Sequence, residues 1–369
     1  MGYLTARDDV RWMAAALTLA QRTRGLTAPN PNVGCVIVKN GRVIGRGWTQ
    51  PGGRPHAEAM ALAEAGEKSR GATCYVTLEP CAHDSARGPA CSDLLIAAGV
   101  ARVVVALRDP DPRTNGTGLT RLAEAGIGVV TGLEADAARR SMAGFLTRRT
   151  LGRPHVTLKL ALSLDGATAM ADGRSRWVTG PEARAHAHLE RARHELILIG
   201  GGTLAADSPA LDVRLPGLED RSPQRVVLTA GTAPPGWTAI AEPAAIATLT
   251  GDHLLVEGGA ATAAAFVSAG LVDRLLLYRA PILVGGGRTL PGIGLALARE
   301  LMLLMGGRLE IESEAGLGTQ VRLCLPASAP PQHEVLPPDH LGAHAERDLR
   351  RVHAADATAE DDHVGGFVR

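Results

Sequence analysis

His56, Glu58, Cys81 and Cys91 are the residues of this chain whose types and spacing could do chemistry of a definite kind. His56-Ala57-Glu58 opens an alanine-rich stretch, and Glu79-Pro80-Cys81 is followed by a further cysteine at position 91. One imidazole and two thiolates make a tetrahedral zinc site with its fourth position open, where a bound water can ionise near neutral pH. Glu58 is then free of the metal and can carry a proton between that water and a departing group, a general acid/base role. Positions 56 and 58 do not share a helix face, so the pair works only if the first turn of a helix points its N-terminus into the pocket. A lone His-x-Glu could equally be two surface residues of an Ala-rich helix. Pro80-Cys81 at the end of a strand pattern tips the reading towards a metal site. The stretch between Cys81 and Cys91 is longer than the usual gap and includes Gly88-Pro89. Cys35 and Cys74 fall within strand patterns and read as small core residues.

The elements that must position these groups follow the chain. Asp8 to Ala20 reads as a helix with an acidic start. A PNPNVG loop, Pro29 to Gly34, leads into β-branched runs on either side of Asn40-Gly41, the signal of a tight antiparallel hairpin. A helix from about His56 can stop at Gly66, and TCYVTLEP is a strand ending at Pro80. Helix and strand then alternate (Ser92 to Ala98, Arg102 to Leu107, GLTRLAEAG, IGVVTG), which predicts parallel strands joined by crossover helices. A connecting stretch with clustered arginines, Leu133 to Pro154, precedes a second αβ series. VTLKLALSLDG, ELILIGGG, QRVVLTA, HLLVEGG and DRLLLYRAPILVGGG read as buried strands, with helices near 181–193 and 260–269. From Ala327 to Arg369 the chain is rich in Pro, Ala, His and Asp without an apolar period, and is expected to be disordered.

Composition narrows the function classes. The 369 residues suit two domains, and hydrophobic residues at 45% with aromatics at 3% imply a core of Ala, Val, Leu and Ile. Lys plus Arg number 39 against 38 Asp plus Glu, a balance that offers no field for a nucleic-acid backbone or an anionic membrane. A small-molecule substrate is the expected partner. The charged N-terminus lacks an apolar signal region, no run of 18 apolar residues occurs, and an odd count of five cysteines argues against a disulfide framework. The expected location is the cytoplasm.

The His-x-Glu and Pro-Cys…Cys pattern is the signature of zinc nucleobase deaminases. PNPNVGCVIV, the HAE helix and TLEPCAH together resemble the bifunctional riboflavin-biosynthesis deaminase-reductases, over nearly all of residues 8 to 292. That resemblance implies an α/β protein: an N-terminal cytidine-deaminase-like three-layer domain, then a dihydrofolate-reductase-like α/β domain. The implied division is a zinc-dependent pyrimidine deaminase over 1–150, an NADPH-dependent reductase over 151–326 and the tail 327–369. It also implies hydrolysis of the 2-amino group of a diaminopyrimidinone carrying a ribosylamino 5-phosphate, followed by hydride transfer from NADPH to open the ribosyl into a ribityl chain. Zn2+ and NADPH are the implied cofactors, and a homo-oligomer is compatible with the family. Asn30 and His83 become candidate substrate contacts beside the ligands His56, Cys81 and Cys91, although a turn-forming Asn and a solvated loop His are their plainer readings.

The second half carries LKLALSLDG, SRWVTG, GGTLAADSPALDVR and VEGG in order, similar to the reductase part of that family. By resemblance, Lys159 and Asp207 face the reacting centre. Ser175, Arg191, Leu211, Arg214 and Glu257 bind substrate, while Ala161, Trp177, Thr203, Asp207, Gly258 and Gly259 hold NADPH. Arg191 and Arg214 are of the type that grips a phosphate with a two-pronged hydrogen bond, and the glycines after Glu257 let backbone N–H groups approach another phosphate. An active deaminase behind which the reductase is only structural is the competing reading.

After Pro291 the resemblance to the reductase is expected to stop. GIGLALARELMLLMGGRLEIESEAGLGTQVRLCLP, covering the atypical residues 295–326, resembles the end of a histidine-kinase ATP-binding domain. ATP binding would need an Asn-bearing helix and a D-x-G-x-G loop upstream, and the sequence has neither. RLEIES and TQVRLCL alternate apolar and polar residues, so residues 308–325 are expected to pair as a hairpin on the reductase sheet, with Leu309, Ile311, Val321, Leu323 and Leu325 on one face.

Overall fold

The computed structural model describes residues 6–83, 88–163, 180–280, 308–314 and 318–324. Helix α1 (Ala6–Ala20) precedes a hairpin of β1 (Gly34–Lys39) and β2 (Arg42–Trp48). Asn40 and Gly41 at its turn both take positive φ, 51° and 69°, which an Asn-Gly hairpin turn requires. After α2 (Ala57–Ala65), strand β3 (Thr73–Val76) pairs antiparallel with β1. Helix α3 (Cys91–Ala98), β4 (Arg102–Val105), α4 (Thr117–Glu124) and β5 (Gly128–Thr131) follow, and β3, β4 and β5 run parallel. The resulting sheet has the order β2-β1-β3-β4-β5. Helices α2, α3 and α4 line one face, while α1 and α5 (Ala135–Ser141) cover the other, giving three layers. The helix backbones come in close: a Cβ at Gly34 would overlap the Ala16 carbonyl, and one at Gly47 the Ala57 carbonyl.

Two elements depart from the sequence reading here. The strand expected to reach Pro80 ends at Val76, and Thr77 to Pro80 leave the ladder to carry Cys81 into the pocket. The arginine-rich connection is two helices, α5 and α6 (Ala143–Leu151). Ala138, Met142 and Phe145 are buried in the first core, while Arg139, Arg140 and Arg149 stay exposed.

The second sheet is assembled from β6 (His155–Leu162), β7 (Leu196–Gly200), β8 (Gln224–Leu228), β9 (Trp237–Ile240), β10 (His253–Val256) and β11 (Arg274–Arg279). Its order is β11-β6-β10-β7-β8-β9 and every pairing is parallel. Helices α7 (Pro181–Arg191), α8 (Gly201–Asp207) and α9 (Ala260–Ser268) connect the strands. Strands β7 and β10 are buried along their whole length, which explains their uninterrupted apolar sequence. The helix α8, whose first two residues close the run read as a strand, and the strand β9 are additions to the expected series.

The expected hairpin forms as β12 (Arg308–Glu314) and β13 (Gly318–Cys324). Leu309 stands opposite Leu323 and Ile311 opposite Val321, so these four positions fall on one face. The two strands make a two-stranded sheet of their own rather than an addition to the reductase sheet, within a separate compact unit, Ala298–Arg369. An antiparallel pair satisfies the backbone groups that face each other across it, so its register can form without a third strand. Leu325 and the tail 327–369 lie outside the described residues.

Candidate functional site

His56 stands as the N-cap of α2 with extended backbone (φ −73°, ψ 163°), and Glu58 lies buried in the helix's first turn. The helix end therefore points both side chains into one pocket despite their two-residue spacing. Cys81 follows the departing β3 chain, and Cys91 opens α3. His56 Nδ1 lies 3.6 Å from Cys81 Sγ and 3.4 Å from Cys91 Sγ, and all three donor atoms fall within 4.8 Å of one another. Zinc–ligand lengths of about 2.1 and 2.3 Å at a tetrahedral angle set donors roughly 3.6 Å apart, so the residues fit this ion. Three donors leave the fourth position for water. Cys91 N–H donates to Cys81 Sγ at 3.2 Å. Hydrogen bonding from Cys91 draws the Cys81 thiol down to about 4 against the opposing effect of burial, with help from His56, which favours the thiolate a metal needs.

Burial pushes Glu58 up to about 7, opposed by the nearby His56. A carboxyl poised there can take and return a proton near neutral pH. Asn30, expected as a substrate contact, also sits on the ligand: its Nδ2 donates to the Gly53 carbonyl at 2.8 Å and lies 3.2 Å from His56 Nε2. Gly53 has φ 86°, and a Cβ there would come within 2.8 Å of the Asn30 side chain. His83 lines the same pocket, with Nδ1 3.4 Å from Thr114 Oγ1.

The cavity over the ligands measures about 160 Å³. Its wall includes Arg54, Asp109, Asp111, Arg113, Phe145 and Arg149, none of which the sequence reading picked out. The i,i+4 spacing of Phe145 and Arg149 on α6 was the available signal, had the stretch been read as a helix. Glu79, noted only as part of the motif, organises the floor: its carboxylate accepts backbone N–H bonds from Asp109, Gly116, Gly118 and Leu119. Asp109 and Gly116 from the loop and Gly118 and Leu119 from the first turn of α4 thus satisfy the buried side chain.

In the second sheet, Lys159 on β6 and Glu257, just past the end of β10, come together with Nζ 3.8 Å from Oε2. Glu257 is gripped by Arg191 through Nε at 2.7 Å and Nη2 at 2.9 Å, while Arg191 Nη1 donates to the Asp212 carbonyl at 3.0 Å. Burial alone would raise the Glu257 carboxyl, but this fork outweighs it and holds the group below its ordinary range. The arginine expected to grip phosphate is thus fully engaged within the protein. Arg214 remains exposed, 3.5 Å from Asp212. Leu211 is buried with φ 55°, a left-handed conformation rare outside glycine, in the loop whose Asp212 carbonyl caps Arg191. Gly258 and Gly259 make the turn into α9; a Cβ at Gly258 would run into Thr262, and one at Gly259 would sit 3.3 Å from Thr203 Oγ1. These glycines leave a bare backbone for a cofactor to approach. Ala161 is on β6 beside Tyr278, and Asp207 is exposed at the end of α8. Ser175 and Trp177 lie outside the described residues.

With this geometry in place, comparison with known proteins adds independent observations. The family model for the cytidine and deoxycytidylate deaminase zinc-binding region matches residues 6–107. The model for the RibD C-terminal domain matches 154–305, continuing past Pro291 where the likeness was expected to stop. The riboflavin biosynthesis protein RibD of Escherichia coli is 44% identical over 339 residues, covering 78% of this chain and 92% of that protein. The Haemophilus influenzae RibD is 40% identical over 328 residues, covering 75% and 87%. Among solved structures, Acinetobacter baumannii RibD is similar with 36% identity and a TM-score of 0.72, covering 87% of this chain and 99% of that one. A diaminohydroxyphosphoribosylaminopyrimidine deaminase/5-amino-6-(5-phosphoribosylamino)uracil reductase from Thermotoga maritima matches with 29% identity, the same TM-score and the same coverage.

Proposed function

We propose, for a chain that belongs to the RibD family of riboflavin-biosynthesis proteins, two consecutive reactions at two sites. In the first, the 2-amino group of 2,5-diamino-6-(5-phosphoribosylamino)pyrimidin-4(3H)-one is hydrolysed. In the second, the ribosyl group of the product is reduced to ribityl. The observation that carries the reading is the His56, Cys81 and Cys91 donor set at tetrahedral spacing, with buried Glu58 beside it.

Zinc, held by His56, Cys81 and Cys91, supplies a water that ionises near neutral pH. Glu58 would accept a proton from the attacking water and return it to the departing amine, so that hydrolysis at C2 releases ammonia. Asn30 holds the His56 ring, and His83 faces the substrate from the pocket wall. In the second site NADPH supplies the hydride that reduces C1′. Lys159 and Asp207 act at the reacting centre. Ala161, Trp177, Thr203, Asp207 and the Gly258-Gly259 turn hold the cofactor. Ser175, Leu211, Arg214 and Glu257 bind substrate, and Arg191 serves by fixing Glu257, so Arg214 is left for the phosphate.

We place the division between the two activities near residue 150, with a reductase reaching to about 326 and a tail beyond it. For 308–324 we favour a structural hairpin over the ATP-binding end of a histidine kinase. The balanced net charge of +1 supports a cytoplasmic enzyme acting on a small molecule without nucleic-acid or membrane partners; among the described residues no helix is long and apolar enough to cross a membrane. Assembly as a homo-oligomer is compatible with this reading. The deciding experiment supplies the diaminopyrimidinone phosphate with and without NADPH and follows both products by mass. Deamination without NADPH and ribityl product only with it are expected; failure of the first step overturns the reading, and failure of the second alone leaves a deaminase with a structural reductase.

A further inference from the structure

Lys159 is loosely held by the contacts so far described. Among the described residues its one ion pair, with Nζ 3.8 Å from Glu257 Oε2, is beyond hydrogen-bond reach and does not fix a lysine stem with four rotatable bonds. On another side lies an aromatic face: the Tyr278 ring centroid is 5.8 Å from Nζ. Strand β11 pairs with β6 so that Leu276 is opposite Lys159 and Tyr278 opposite Ala161. Alternation along parallel strands then puts Tyr278 on the same face as Lys159, two residues nearer the carboxyl ends where the cleft opens. The ring is itself held. Tyr278 Oη and His186 Nδ1 of α7 are 2.8 Å apart, with the two rings edge to face at 5.9 Å. One helical turn on, Glu190 of α7 pairs with Arg274 of β11 at 2.6 Å. Helix α7 is therefore tied to the edge strand at two points, four residues apart on each element, and the His186 tie sets the tyrosine.

We propose that Tyr278 is a positioning residue for the reduction: its ring, fixed by His186, confines the Lys159 ammonium between an aromatic face and the Glu257 carboxylate. The proposal rests on the assignment of Lys159 to the reacting centre. A cation over the face of a ring is attracted by the ring's quadrupole, and here the direction of that attraction is set by a strand rather than by a flexible loop. Loss of the ring frees the lysine without touching the cofactor turn at Gly258 and Gly259 or the zinc pocket.

The test uses the full-length zinc-loaded protein with NADPH and the product of its own deamination. Y278L is expected to lower kcat for NADPH oxidation about tenfold, the rate equivalent of a partly desolvated cation–π contact, with KM for NADPH within about twofold. Deamination should be unchanged. Y278F keeps the ring and its edge-to-face packing on His186 but loses the hydrogen bond to it, so its kcat should fall between those of Y278L and the wild type. An unchanged kcat in Y278L, or a Y278F as slow as Y278L, overturns the proposal. K159M separates this from the underlying assignment: wild-type turnover in K159M refutes the role of Lys159 itself and the proposal with it, whereas a dead K159M beside an unaffected Y278L refutes only the role of the tyrosine. Should Y278L also lose deamination through misfolding, H186A decides, since it releases a ring that is still present; a fall in kcat at constant KM supports the proposal and no change overturns it.

Discussion

A metal ligand must be oriented before the metal arrives, and at the zinc pocket that task falls to Asn30. Its side chain is anchored by donation from Nδ2 to the Gly53 carbonyl and lies 3.2 Å from His56 Nε2, so it packs against the ring on the side away from the thiols. Removing such an outer partner costs about 10–100-fold in metal affinity, and Asn30→Ala is expected to weaken zinc binding by that order in competition with a chromophoric chelator. Wild-type affinity would show that the ring is fixed without it. Glu58 predicts the opposite pattern. Glu58→Gln should keep a full zinc content, because the residue is no ligand, and lose about 10²–10⁴ in deamination rate through absent proton transfer. Metal analysis beside ammonia release checks both halves, with Cys81→Ser and Cys91→Ser losing zinc as the reference. These residues were legible in the sequence because ligand chemistry admits few residue types at few spacings. Arg191 was legible only as a type. That its fork is occupied by Glu257, 66 residues away, follows from how two strands and a helix meet, and no local pattern carries it.

Helix α6 shows what the sequence concealed at the scale of elements. Its Phe145 and Arg149 line the deaminase pocket, while Gly144 packs against the His253 ring at the start of β10 and Arg148 donates to the Leu249 and Gly251 carbonyls. One nine-residue helix thus forms a wall of the first site and the joint to the second sheet. Its apolar period was masked by neighbouring arginines that point outward, and at that length few turns remain from which to read a period. By contrast the Asn40-Gly41 hairpin and the apolar parallel strands were plain, because turn chemistry and burial on both faces each leave a local mark. The joint is tight: a Cβ at Gly144 would overlap the imidazole. Gly144→Ala is therefore expected to destabilise the protein by about 1–3 kcal/mol, the cost of overpacking a close-packed interior. Thermal unfolding of the zinc-loaded protein measures it, and an unshifted midpoint would mean that His253 moves aside freely.

Across the whole molecule the two chemistries are separate, but the stability is shared. Between the two sheets three histidines are buried together, His155 and His253 with ring centroids 6.3 Å apart, and His194 and His253 with centroids 5.9 Å apart. Arg24, from the first domain, joins them. Its Nε, His155 Nδ1 and His253 Nε2 have no hydrogen-bond partner among the described residues, so added charge in this joint meets little compensation. Burial depresses His155 to about 4, against the pull of Asp273 and aided by His253, Arg24 and Arg274. Burial likewise depresses His194 to about 3, aided by His253 and Arg24 and opposed by Glu190. Glu195 faces the cluster through its contact with His253 at 3.2 Å. An unfolded histidine takes up its proton near pH 6.5, whereas these two stay neutral until about 4 and about 3. Between those limits the unfolded chain binds more protons, so stability is highest above about pH 6.5 and is lost as the pH falls through 6 and 5. Carboxylates held low by arginines, Asp111 and Glu257 among them, add to the loss only below their unfolded values near 4. Asp109 and Glu58, raised to about 6 and about 7, act in the opposite sense, which is why the informative quantity is a difference between variants. His155→Gln cannot titrate, and its melting point should fall less than that of the wild type between pH 7.5 and 5.5. Equal falls in the two proteins would remove His155 as a source of the acid sensitivity. Because the cluster sits in the joint, acid should end deamination and reduction together, whereas Lys159→Met ends only the second.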